Sequence, residues 1–261
     1  MARKKDKILT KKKHIPYNYI WTRENPISFI TESYQKFLAN LEYINVDKKY
    51  KVLQVTSSVS SEGKSTFLGN IAFLLGQKNQ KCILVDLDLR KPKVHQIYDS
   101  ENSKGVTDVL LGRASLEEAI KKDKKLGFDV ITAGEKNNAV INLLESKKMK
   151  ELISQLRNSY DIILVDSPPV MNVSDALYIS KITDAIVFVI SQNDTKRAVV
   201  KDAVNLLKQN QIKIIGCVIT QVNLAKNRYG YGYGYGYGYG YNYENDDWYS
   251  YTFDSRSRWR F

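Results

Sequence analysis

Lys64 and Ser65 lie near the end of the run Thr56-Ser57-Ser58-Val59-Ser60-Ser61-Glu62-Gly63-Lys64-Ser65-Thr66, which follows an apolar stretch and leads into a helical pattern. Strand, loop and helix in that order suit a phosphate-binding loop, because successive backbone N–H groups and the positive end of the helix attract phosphate oxygens. In such a loop Lys64 reaches the terminal phosphate oxygens and the Ser65 hydroxyl ligates Mg²⁺, with Ser58, Ser61, Glu62, Gly63 and Thr66 completing the cradle. The usual pattern has glycine at the position of Ser58. Taken without the rest of the chain, Gly-Lys-Ser would be no more than a lysine at a helix start.

Two further segments place acids at the ends of apolar runs: Ile83-Leu84-Val85-Asp86-Leu87-Asp88-Leu89-Arg90 and Ile162-Ile163-Leu164-Val165-Asp166-Ser167-Pro168-Pro169. Alternation puts Asp86, Asp88 and Arg90 on one face as the chain leaves the sheet. Either acid end alone could cap a turn. Together with Lys64 they suit a Mg²⁺–nucleotide, which needs hard oxygen ligands and a proton acceptor near transferred phosphate. Ser65, Asp86 and Asp166 are the expected metal residues, and Lys64, Asp86, Asp88 and Asp166 the expected catalytic ones, with Arg90 on the cofactor.

These residues need a scaffold that brings strand ends together. Short continuous apolar runs at Lys51 to Val55, Cys82 to Val85, Phe128 to Ile131, Ile162 to Val165, Ile186 to Ile190 and Ile214 to Ile219 read as strands covered on both faces. Helical spacing is predicted over Ser28 to Tyr43, Lys64 to Gln77, Thr107 to Leu111, Leu116 to Lys121, Ile141 to Asn158, Asp175 to Ser180 and Lys196 to Gln209. The alternation predicts an α/β fold, a doubly wound, mostly parallel sheet with helices on both faces. Ligands in such sheets bind beyond the carboxyl ends of the strands, where Lys64, Asp86 and Asp166 fall.

The chain has 261 residues, 43% of them hydrophobic, enough to bury one substantial core. Its longest nearly apolar run, Ile182 to Ile190, is broken by Asp184 and is far shorter than the roughly 18 to 20 residues of a membrane-spanning helix. Seven Lys/Arg in the first thirteen residues are followed by no apolar stretch, so neither a cleaved secretory signal nor a transmembrane span is expected, and a cytoplasmic location is. Cys82 and Cys217 sit singly in apolar runs and read as reduced core thiols. Of the formal charge of +12, a net +6 belongs to the first thirteen residues. A basic arm of that kind suits anionic lipid, nucleic acid or an acidic partner, or simply aids solubility.

After Asn223 the composition changes. Tyr alternates with Gly from Tyr229 to Gly240, and Tyr229, Tyr231, Tyr233, Tyr235, Tyr237, Tyr239, Tyr241, Tyr243, Tyr249 and Tyr251 make up ten of the eighteen tyrosines. Glycine at every second position cannot cover a sheet face, so a disordered tail is expected. The expected organisation is a basic arm over residues 1–25, a nucleotide-binding domain over 26–223 and a tyrosine-rich tail over 224–261.

The phosphate loop, the Asp86-x-Asp88-x-Arg90 and Asp166-Ser167-Pro168 strand ends and the tyrosine tail together resemble the bacterial tyrosine kinases of capsule and exopolysaccharide operons, in the Gram-positive form that lacks a membrane anchor. The resemblance spans about Asn25 to Gln221. It implies ATP and Mg²⁺ as cofactors, Asp86 or Asp88 as proton acceptor, and the ten tail tyrosines as acceptors of phosphate in trans. It also implies a homo-oligomer, and a membrane-anchored activator of the polysaccharide co-polymerase type that holds the kinase at the inner face of the membrane; no specific nucleic acid is expected. Three places depart from the family pattern. Ser60-Ser61 replaces a Pro-Gly pair, the ring-forming Glu-x-x-Arg-x-x-Arg helix reads Glu32, Gln35 and Leu38 at its key positions, and Thr220 stands where an asparagine commonly contacts adenine. Looser base recognition is therefore expected. Two other functions suit the same motifs: an ATP-switched positioning factor, and a nucleotide-binding regulatory subunit without turnover.

Overall fold

The computed structural model describes residues 19–46, 50–123 and 125–222. The basic stretch up to residue 18 and the tyrosine tail lie outside them. Seven strands form one sheet: β1 (Val52–Ser57), β2 (Cys82–Asp86), β3 (Lys121–Asp123), β4 (Phe128–Ile131), β5 (Ile162–Asp166), β6 (Ala185–Ser191) and β7 (Ile214–Thr220). Their order across the sheet is β3-β4-β2-β5-β1-β6-β7, with every neighbouring pair parallel except β3 and β4. The expected doubly wound, mostly parallel sheet is therefore what the chain forms. β3 is the strand the apolar pattern does not announce, being three charged residues on an edge.

Ten helices connect the strands among the described residues: α1 (Trp21–Glu24), α2 (Phe29–Ile44), α3 (Lys64–Gln77), α4 (Val94–Ile97), α5 (Val106–Leu110), α6 (Leu116–Ala119), α7 (Val140–Glu145), α8 (Lys147–Ser159), α9 (Asp175–Ile179) and α10 (Arg197–Gln209). Side-chain alternation in β1 decides which covers which face. Leu53 and Val55 join Phe37, Leu38, Phe67 and Ile71 of α2 and α3, whereas Val52 joins Leu143, Leu152 and Leu156 of α7 and α8. Phe188 of β6 packs with Ala203, Val204 and Leu207 of α10. Each such aliphatic or aromatic side chain contributes about 1.5 to 3 kcal/mol by leaving water.

The single helix expected over Ile141 to Asn158 is two. Ser146 adopts an extended backbone (φ −63°, ψ 154°), ends α7, and accepts the Met149 N–H on its hydroxyl to start α8. A serine that caps its own successor breaks a helix that apolar spacing alone would continue. The expected domain start at residue 26 also moves. Ile20 and Thr22 are buried, and Asn70 of α3 accepts the Thr22 N–H at 2.8 Å, so α1 packs on α3 as part of the domain. Cys82 is buried and Cys217 half-buried, both as free thiols.

Candidate active site

Lys64, Ser65, Asp86 and Asp166 meet at the carboxyl edge of the sheet because three central strands end there together. β2 and β5 are paired in register up to Asp86 and Asp166, and β1, on the other side of β5, runs directly into the loop before α3. Gly63 turns that loop into the helix at φ 87°, a conformation that costs glycine nothing. Lys64 is buried, and its ammonium donates to the Ser57 hydroxyl at 3.1 Å, which in turn donates to the Val59 carbonyl at 2.7 Å. The Ser65 hydroxyl donates to Asp166 Oδ2 at 2.5 Å.

The three aspartates differ in what they have left to offer. Asp86 is completely buried, and its oxygens accept the N–H groups of Asp88, Lys93 and Val94, so it shapes the β2–α4 loop and caps α4. Burial, and then the neighbouring Asp166 charge, push its carboxyl well above the ordinary range. Asp166 is pushed up to about 6 by burial, with Lys64 and the Ser65 hydroxyl pulling the other way. Its Oδ1 is buried and has no hydrogen-bond partner among the described residues. Asp88 is half-buried and accepts the Lys91 N–H on Oδ1; burial raises its carboxyl, against the pull of that bond, of Lys64 and of the Arg90 N–H.

The donor set fits Mg²⁺. An orphaned carboxylate oxygen beside a serine hydroxyl is the kind of hard, partly satisfied site that Mg²⁺ shares with phosphate oxygens and water. Among the described residues no three His, Cys, Asp or Glu side chains converge as a cage of their own. Asp86, expected as a second ligand, has both oxygens already engaged by backbone.

Other expected residues have different partners. Arg90 pairs with Asp175 through two hydrogen bonds, Nε to Oδ2 at 2.6 Å and Nη2 to Oδ1 at 3.0 Å, rather than leaving its guanidinium open for phosphate. Asp175 is fully buried at the start of α9 and ties the loop after β2 to the loop after β5; no spacing rule in the sequence marks it. Ser58 is buried with its hydroxyl unpartnered. Ser61 is exposed at φ 68°, and Thr66 half-buried in the first turn of α3. The Glu62 carboxylate is buried and accepts from Val59 N–H, Ser191 N–H and the Thr195 hydroxyl. Thr220, expected near adenine, is buried beneath the loop, where its hydroxyl donates to the Glu62 carbonyl at 2.8 Å. The helix α2 carries Glu32 and Lys36 as an exposed i,i+4 pair.

The fold is shared with known proteins. A family model described as an AAA domain matches residues 50–216. Tyrosine-protein kinase YwqD of Bacillus subtilis (strain 168) is 36% identical over 206 residues, covering 78% of this chain and 87% of that protein. The kinase domain of Escherichia coli tyrosine kinase ETK superposes with a TM-score of 0.76 at 26% identity over 87% of each chain. The crystal structure of the chimerical protein CapA2B2 superposes with a TM-score of 0.74 at 28% identity, over 77% of this chain and 88% of that one. Sequence identity of 36% along most of both chains, joined to the superposition on solved kinase domains, makes this chain a member of the bacterial tyrosine kinase family of P-loop ATPases.

Proposed function

We propose that the chain transfers the γ-phosphoryl group of ATP to tyrosines of its own C-terminal segment in trans, and that this governs capsular or exopolysaccharide synthesis and export together with a membrane-anchored activator. The observation that carries this reading is the convergence of Lys64, Ser65, Asp86, Asp88 and Asp166 at one sheet edge, in a chain whose last segment holds ten closely spaced tyrosines.

Backbone N–H groups of Val59 to Gly63 and the start of α3 would receive the phosphates, with Lys64 leaving Ser57 to meet the terminal oxygens. Ser65 and Asp166 would hold Mg²⁺, which when bound neutralises charge on the phosphate oxygens. Asp88 accepts the proton of the incoming phenol. It is half-buried at the edge, and burial raises its carboxyl above the ordinary value, whereas Asp86 is sealed and committed to backbone. A phenol with a free pKa of about 10 needs such an acceptor as the new bond forms. Arg90 and Asp175 hold the loop that carries Asp88.

No helix among the described residues is long and apolar enough to cross a membrane, so contact with the membrane would come through the activator and the basic arm. The test is to incubate the full chain with Mg²⁺–ATP, with and without a cytoplasmic fragment of the candidate activator, and to map phosphate by mass spectrometry. Phosphate on Tyr229 to Tyr251 is expected. ATP hydrolysis with no phosphotyrosine would favour a positioning ATPase, and nucleotide binding with neither would favour a regulatory subunit.

A further inference from the structure

We propose that Glu62 is a positioning residue whose carboxylate never meets the nucleotide but braces the phosphate loop against the ends of β6 and β7. The proposal deepens the kinase reading and takes from it only that this loop receives phosphate. Glu62 is completely buried and forms no ion pair among the described residues; its charge is held by hydrogen bonds alone. Oε2 accepts the Val59 N–H at 2.8 Å, three residues back within the loop. Oε1 accepts the Ser191 N–H at 3.0 Å and the Thr195 hydroxyl at 2.5 Å, both at or just past the end of β6.

The main chain is held from the other side. Thr220 at the end of β7 donates to the Glu62 carbonyl, and Gln221 Nε2 donates to the Ser61 carbonyl at 3.3 Å. The anchors are themselves joined: the Ser191 hydroxyl donates to Gln221 Oε1 at 2.6 Å, and Gln192 N–H donates to the Thr220 carbonyl at 3.0 Å. The brace therefore rests on the ends of β6 and β7 and on the residues just past them.

The loop needs such a brace. Ser61 has φ 68°, a left-handed conformation that a non-glycine residue keeps only when its surroundings over-determine it. A Pro-Gly pair at Ser60-Ser61 would take that shape at little cost, and here a buried carboxylate supplies the constraint. Releasing Glu62 would let the Val59 to Gly63 N–H groups turn away from the place where phosphate must sit, and their preorganisation is what binds it. Thr195, well outside the loop in sequence, becomes part of phosphate recognition.

The experiment uses the full chain with Glu62→Gln, Thr195→Val and the double variant, read by Mg²⁺–ADP titration and by phosphotyrosine formation. Both readouts are taken at a temperature where circular dichroism shows each variant folded. Glu62→Gln turns an amide N–H toward N–H or O–H donors and is expected to weaken Mg²⁺–ADP about tenfold. Thr195→Val is expected to cost about threefold, and the double variant no more than Glu62→Gln alone, because both cut one brace. Ser61→Gly added to Glu62→Gln should regain about threefold, since glycine holds the turn unaided. Folded variants that melt lower yet bind Mg²⁺–ADP within twofold of the parent overturn the proposal, as does a double variant that multiplies the two single losses. A parent that binds Mg²⁺–ADP but labels no tyrosine sinks the kinase reading and leaves this one standing; a parent that binds no Mg²⁺–ADP sinks both.

Discussion

Asp86 and Asp166 stand opposite each other in register at the carboxyl ends of β2 and β5, two buried carboxylates on adjacent parallel strands. Burial raises both carboxyls, and the Asp166 charge raises Asp86 further. Each carboxylate therefore works against the fold when ionised.

Asp166→Asn should stabilise the nucleotide-free protein while abolishing transfer. The folded-state value of Asp166, about 6, lies above the ordinary carboxylate value, so its contribution is most favourable in acid and is lost as pH rises through about 6. Removing the charge should raise stability by about 1 to 3 kcal/mol at pH 8 and change it little at pH 4. Thermal melts of the two proteins across that range check the sign. A variant that melts lower than the parent at pH 8 would show that the Ser65 bond outweighs the repulsion.

Lys64→Met should reduce phosphoryl transfer by at least about a hundredfold and leave the fold intact, because among the described residues the ammonium has one hydrogen bond, to Ser57, and its charge is needed on the phosphate. Phosphotyrosine yield and the circular dichroism spectrum, measured side by side, separate loss of chemistry from loss of fold. Unchanged labelling in a folded variant would remove Lys64 from the site.

Asp184→Asn should loosen the far end of the sheet. Asp184 Oδ2 accepts the Lys51 and Val52 N–H groups that begin β1, and both its oxygens pair with Arg157 of α8. Burial raises this carboxyl, but the Arg157 bonds and the two N–H groups win and hold it below its ordinary value. Its stabilisation is thus present at neutral pH and lost as pH falls through the folded-state value. The variant should lose about 1 to 3 kcal/mol at pH 7, and parent and variant should converge in strong acid. Denaturant melts at pH 7 and pH 3 measure both.

What the sequence shows of this molecule follows from where apolar pattern decides structure. The strand runs are visible because both faces of the sheet are covered, and Lys64, Asp86 and Asp166 stand out because each follows such a run. β3 and α4 are hidden because an edge pairing and an Asp86 cap, not apolar spacing, make them. Asp175 and the partners of Glu62 are equally hidden, since hydrogen bonds between Glu62 and Thr195, or between Arg90 and Asp175, join residues far apart in the chain. The bond from Thr220 to the Glu62 carbonyl is hidden for the same reason.

Removing Tyr229 to Phe261 should leave Mg²⁺–nucleotide binding unchanged and abolish most phosphotyrosine, because every strand among the described residues and every residue of the candidate site lies upstream. Each phosphate adds about −1.5 to −2 charge at neutral pH, so several on the ten tail tyrosines would reverse the sign of that segment. An anionic tail is repelled by a site built on Asp86, Asp88 and Asp166, and phosphorylation should release protomers from one another. Light scattering of labelled and unlabelled chain, with the activator fragment present, tests the release, and phosphopeptide mapping tests the acceptors. Tyr160 is a demanding control: it is buried, and its hydroxyl donates to Asp129 at 2.6 Å, so it should stay unlabelled while the domain is folded. Phosphate on Tyr34, Tyr43 or Tyr160 in place of the tail, or full labelling of the truncated chain, would overturn the acceptor assignment and favour a positioning ATPase.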